Sequence, residues 1–178
     1  MKERFLAAQT FAEFVEGAEA LADLWKAMAR RAVPPAELVE RASSLGVRRN
    51  LLVLNEDWCG DAVNTVPYVA ALAEAVPGFE LRIVGRDANP DLMDAHLTNG
   101  SRSIPVVIVL DEAYRELGWW GPRPRELQAW VLDEGLALPA EERYREIRKW
   151  YARDKGRTAL AEIVALLEAT REGAGQPV

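Results

Sequence analysis

The chain predicts an α/β fold, a central mixed sheet flanked by helices, and three observations in its 178 residues carry that prediction. Leu51-Leu52-Val53-Leu54 and Val106 to Leu110 are short continuous apolar runs, the pattern of strands buried on both faces. Around them lie segments whose apolar residues recur at helical spacing. The order is helix, helix, then β-α-β-α-β-β-α, then helix. Strands separated by a helix run parallel, and the closely spaced last pair forms an antiparallel hairpin.

Each element has its own signals. Thr10-Phe11-Ala12-Glu13 has the form of a capping box, and apolar spacing from Phe11 to Trp25 carries one helix on to about Arg31. Pro34-Pro35 breaks it; a second helix, Ala36 to Leu45, stops at Gly46. After the first strand, a helix over about Ala62 to Val76 ends at Pro77-Gly78, and Phe79 to Val84 forms the next strand. Asn89 as N-cap and Pro90 at the first helical position open a short helix through Leu97. Asn99-Gly100-Ser101 turns the chain toward the strand Val106 to Leu110, with a fourth strand over Ala113 to Trp120. Pro122-Arg123-Pro124 restarts a helix over about Arg125 to Leu132. A charged amphipathic tail, Glu141 to about Glu172, is helical with an interruption near Gly156, and Gly173 onward is expected to be loose. The organisation expected is a helical extension over 1–46, a core over 47–133 and a second helical extension over 134–178, all in one globular domain.

Hydrophobic residues at 49% and charged residues at 28% describe a folded, water-compatible chain rather than a disordered one. A net charge of −6 argues against nucleic acid or an anionic membrane as partner. The start, Met1-Lys2-Glu3-Arg4-Phe5-Leu6, lacks the apolar stretch of a signal peptide, and no apolar run approaches the roughly 20 residues of a membrane span. The expected location is therefore cytoplasmic. A single cysteine, Cys59, excludes an internal disulfide and suits a reducing compartment. One Cys and one His cannot assemble a Cys/His zinc site, and neither metal nor cofactor is expected. Composition leaves oligomeric state open.

Asp57-Trp58-Cys59-Gly60-Asp61 falls at a predicted strand-to-helix junction, Pro67 follows Cys59 by eight positions, and Ser103-Ile104-Pro105 precedes the hairpin. These features at these intervals resemble the thioredoxin superfamily, over roughly Val47 to Asp133. Trp58-Cys59-Gly60-Asp61-Ala62, Arg102-Ser103-Ile104-Pro105-Val106, Trp120-Gly121-Pro122-Arg123-Pro124 and Trp150 to Lys155 resemble, more narrowly, a bacterial thioredoxin-like subgroup with helical extensions. In that subgroup alanine commonly replaces the second cysteine. The resemblance implies a thioredoxin fold, Cys59 as the attacking thiol and a cis bond before Pro105. It also implies a substrate surface of Trp58, Gly60, Asp61, Ile104 and Pro105, with the Ile104 backbone free to pair with an extended peptide or thiol substrate. Two departures matter. Ala62 cannot resolve a mixed disulfide, and Val53 and Ile83 stand where thioredoxins carry a buried acid and lysine.

The residues supply independent physical reasons. A cysteine at a helix start lies among unpaired N–H groups and the positive dipole end, which favour thiolate. Gly60 keeps the turn slim and Trp58 shields one side. Glu56, Asp57 and Asp61 put negative charge around the sulfur and oppose thiolate; the two effects have opposite sign and their sum stays open. Two functions compete. In the first, a monothiol redox protein forms mixed disulfides with a protein or low-molecular-weight thiol, and Cys59 alkylates faster than an ordinary thiol. In the second, a non-catalytic binding or scaffolding module keeps the Trp58/Pro105 groove. A weaker third reading is a peroxide sensor forming a sulfenic acid. Asp61 reads as a first-turn acid or a proton-transfer group. Trp119 and Trp120 should face opposite ways along a strand, and Trp150-Tyr151 should pack on the sheet layer. His96 reads as a surface helix residue and Arg86-Asp87 as a solvated pair.

Overall fold

The computed structural model describes residues 1–172, so the end expected to be loose from Gly173 lies outside the described residues. The chain begins with helices α1 (Lys2–Ala7), α2 (Phe11–Gly17), α3 (Ala22–Arg31) and α4 (Ala36–Ser44). Then follow β1 (Arg49–Asn55), α5 (Gly60–Ala75), β2 (Phe79–Gly85), α6 (Pro90–Asp94), β3 (Val106–Leu110) and β4 (Glu116–Trp120). The chain closes with α7 (Arg125–Asp133), a 3-10 turn (Gly135–Ala137), α8 (Ala140–Asp154) and α9 (Arg157–Glu172). Among the described residues the strands form one mixed sheet in the order β2-β1-β3-β4, with β1 parallel to β2 and antiparallel to β3, and β3 antiparallel to β4. This is the α/β thioredoxin fold. No helix of the described residues is long and apolar enough to cross a membrane.

The continuous apolar runs become the two central strands because every residue from Leu51 to Leu54 and from Val106 to Leu110 is buried. Covering them on one side are α5, with Val63, Val66, Val69 and Leu72 turned inward, and α9, with Leu160, Ile163, Val164 and Leu167. Each such side chain contributes roughly 1.5–3 kcal/mol by leaving water. Packed outside them, α3 lies on α5 and α4 on α9. Leu127, Val131, Ile147 and Tyr151 form a smaller cluster joining α7 to α8. Along the outer edge of β2, the Gln9 N–H donates to the Ile83 carbonyl at 3.0 Å, and the Ile83 N–H donates to the Gln9 carbonyl at 2.8 Å.

Several elements differ from expectation for identifiable reasons. The single helix from Phe11 to Arg31 is split, with Ala18 extended and Leu21 in the left-handed region at φ 52°. Asp57 causes the break: its Oδ2 accepts the backbone N–H groups of Glu19 and Ala20, both at 2.8 Å. Helical spacing ran through the gap because Phe14 and Trp25, on either side, still meet edge-on with centroids 5.0 Å apart. β4 starts later than expected, since Asp111 Oδ1 holds the N–H groups of Ala113 and Arg115 in a turn with Tyr114 at φ 62°. α1 was not anticipated; it buries Phe5 against Tyr114 and ties Arg4 to Asp91 at 2.8 Å.

His96 is not a surface residue. It is 3% exposed, its Nδ1–H donates to the Leu92 carbonyl at 2.7 Å, and Nε2 lies 3.0 Å from Glu116 Oε1. Trp119 stands edge-on to the His96 ring at 5.7 Å, while Trp120 is buried and its indole N–H donates to Glu162 at 2.6 Å.

Candidate functional site at Cys59

Cys59 caps the start of α5, immediately after the loop that leaves β1. Its backbone N–H donates to the Glu56 carbonyl at 3.2 Å. The sulfur accepts the Ala62 N–H at 3.4 Å, and its S–H donates to the Ile104 carbonyl, also at 3.4 Å. The Ile104–Pro105 peptide bond is cis. The structure thus brings Cys59, Ile104 and Pro105 together, with the Ile104 carbonyl accepting the thiol on one of its two lone pairs.

Cys59 is only 6% exposed. Burial pushes its thiol up to about 11; the nearby Asp61 charge adds to this, while the Ala62 N–H and Arg123 pull the other way without winning. Desolvation therefore decides the question that helix dipole and acidic neighbours left open. A raised thiol pKa works against the fast alkylation expected of a free catalytic monothiol. A Cβ built at Gly60 meets nothing within 4 Å, which leaves open space beside the loop.

Asp61, in the first turn of α5, is committed on both oxygens. Arg123 Nη2 donates to Oδ2 at 2.5 Å, and the Tyr151 hydroxyl donates to Oδ1 at 3.0 Å. Arg123 also donates from Nη1 to Gln128 Oε1 at 3.0 Å. Burial works against the Arg123 charge, yet Asp61 beside it keeps its pKa above the usual value. Burial drives the Tyr151 hydroxyl well above its ordinary pKa, so it is a donor throughout. Arg123 and Tyr151 were missed as site residues, although both lie inside motifs that the sequence displays. Tyr151 had been placed against the sheet layer; instead it reaches the start of α5. Gly121, at φ 142° and before cis-Pro122, lets this segment approach: a Cβ there would lie 2.2 Å from the Pro105 carbonyl oxygen.

Trp58 is 49% exposed and forms the rim. The Arg86 guanidinium lies over its ring at 4.9 Å, donates to Asp87 Oδ1 at 2.8 Å and reaches the Arg102 carbonyl at 3.3 Å. Arg86 therefore keeps its exposed pair with Asp87 and also flanks the site through Trp58. On the other flank, the Trp25 indole N–H donates to the Asp57 carbonyl at 2.7 Å, and Glu56 Oε1 accepts the Asp87 N–H at 2.9 Å. Among the described residues no group of three or more His, Cys, Asp and Glu is placed to hold a metal ion.

A strand–loop–helix with a lone cysteine at the helix start, facing a cis-proline, defines a thioredoxin-fold protein with one thiol. A thioredoxin family model matches residues 8–156, and the chain belongs to that family. It is similar over 94% of its length to the crystal structure of a protein of unknown function, PA1234, from Pseudomonas aeruginosa, with 27% identity, 96% of that chain covered and a TM-score of 0.74. The crystal structure of an HIV epitope-scaffold is similar at 25% identity, with 94% and 97% of the two chains covered and a TM-score of 0.74. Among curated proteins none matches.

Proposed function

We propose that this chain is a monothiol thioredoxin-like redox protein, in which Cys59 forms a mixed disulfide with a protein or low-molecular-weight partner. The partner sits against Trp58, Gly60, Asp61, Ile104 and Pro105. What supports the reading is the seat of the sulfur, 3.4 Å from both the Ala62 N–H and the Ile104 carbonyl, at a helix start beside a cis-proline. A partner strand whose N–H donates to the Ile104 carbonyl competes with the S–H for that acceptor and frees the thiol. The Cys59 thiolate then attacks a partner disulfide. One S–S bond forms, the partner's breaks, and its departing thiolate takes up the proton that Cys59 gave away. Ala62 offers no second thiol, so an external thiol must attack the adduct to release it. A lone cysteine suits a reducing compartment, and action in the cytoplasm is part of this proposal.

Intact-mass measurement of protein exposed to oxidised glutathione and to a disulfide-linked peptide tests the reading. A one-equivalent adduct on Cys59, formed with the native protein and removed by added thiol, is the expected result. Adduct formation only after denaturation would sink it. A second reading, a groove that binds without exchanging disulfides, is favoured by the burial of the thiol, which pushes its pKa up. Under it, partner binding survives Cys59→Ser unchanged and no native adduct forms.

A further inference from the structure

The ion pair beside Cys59 is held against a desolvation penalty. The Arg123 and Asp61 side chains are 19% and 12% exposed. Arg123 pairs through Nη2 and Nη1, yet its buried Nε–H has no partner among the described residues. Apolar side chains of similar volume would hold the segment before α7 against α5 at least as firmly. The charges also stand at a particular place. Gly121 brings the Arg123 segment onto Pro105, whose preceding carbonyl accepts the Cys59 thiol, and Asp61 lies two positions along the helix that Cys59 caps.

Two opposite charges therefore act on one sulfur: Asp61 opposes a thiolate there and Arg123 favours it. The other charged and titratable groups around the site face elsewhere. Glu56 is turned to the Asp87 N–H, Asp57 to the Glu19 and Ala20 N–H groups, and Arg86 to Trp58, while the Tyr151 hydroxyl donates to Asp61. We propose that Arg123 is a positioning residue for the Cys59 thiol: acting through Asp61, it fixes that carboxylate and cancels its charge, so that a thiolate can form when a partner docks. The use of this device rests on the mixed-disulfide reading; the device itself shows in the thiol's own reactivity.

Alkylation of native Cys59 by iodoacetamide, followed by intact mass across a pH series, tests the proposal without any disulfide partner. Arg123→Gln leaves the Asp61 charge uncompensated and should slow alkylation about fivefold at each pH below the thiol's titration. Arg123→Lys restores the charge and should recover most of the rate. A merely structural Arg123 predicts the reverse, because a loosened site exposes the buried thiol and speeds alkylation in both variants. If Arg123→Gln does not fold, Asp61→Asn and the double variant Asp61→Asn/Arg123→Gln keep the test decisive. Neither has a carboxylate to strand, and the double variant should react about threefold more slowly than the single one. Equal or faster alkylation in Arg123→Gln, or equal rates in that second comparison, overturns the proposal. Slower alkylation in Arg123→Gln beside a wild type that forms no glutathione adduct supports the role of Arg123 and removes only the exchange reading.

Discussion

Asp57 and Asp61 stand two residues either side of Cys59, and the protein satisfies them in opposite ways. Asp57 receives two neutral backbone N–H groups from the turn between α2 and α3. Asp61 receives a guanidinium from the segment before α7 and a phenol from α8. The first arrangement fixes a loop but leaves its negative charge standing; the second sets a positive charge directly against it. Chain outside the β-α-β-α-β-β unit thus enters the site from both sides, once through hydrogen bonding alone and once through an ion pair.

The largest effect should come from breaking the ionic side. Arg123→Met strands the Asp61 carboxylate, and a loss of about 3 kcal/mol is expected in urea melts. An unchanged melt would show that Asp61 reaches water and that the two flanks do not differ. Next comes the thiol between them. The folded protein holds the Cys59 proton to about pH 11, against an ordinary value of 9.0. This stabilisation is fully present below pH 9 and is lost as pH rises from 9 through 11, on the order of 2–3 kcal/mol. The wild-type minus Cys59→Ala stability difference should fall across that window; a flat difference would contradict the burial argument. Asp57→Ala removes two charge-assisted hydrogen bonds from backbone N–H groups and should cost about 2 kcal/mol, with faster proteolysis across Ala18 to Leu21. Trp58→Ala, on the exposed rim, should change stability by no more than about 0.5 kcal/mol while slowing glutathione adduct formation.

The sheet was readable because its central strands are buried on both faces and so carry unbroken apolar runs. Cys59 was readable because a strand end, a turn glycine and a helix start occupy consecutive positions. Long-range polar contacts were not. Nothing local marks Asp57 as the group that splits Phe11–Arg31 into α2 and α3, since its partners lie 37 and 38 positions away. Tyr151 meets Asp61 across 90 positions, within a helix whose periodicity reports only its own buried stripe. His96 was misplaced for the same reason: Glu116, its polar partner, belongs to β4. The thiol's state was unreadable because it depends on how completely water is excluded, which only the packed fold decides.

The pair of hydrogen bonds between Gln9 and Ile83 has a colloidal consequence. β2 ends the sheet on that side, and an uncovered outer strand is a template on which a second molecule can build. A chain shortened to begin after Gln9 would uncover the Ile83 N–H and carbonyl in the middle of that edge. Concentration-dependent self-association in light scattering, absent from the full chain, is the expected signature. On that outcome Gln9 serves as a stopper on the open edge of β2.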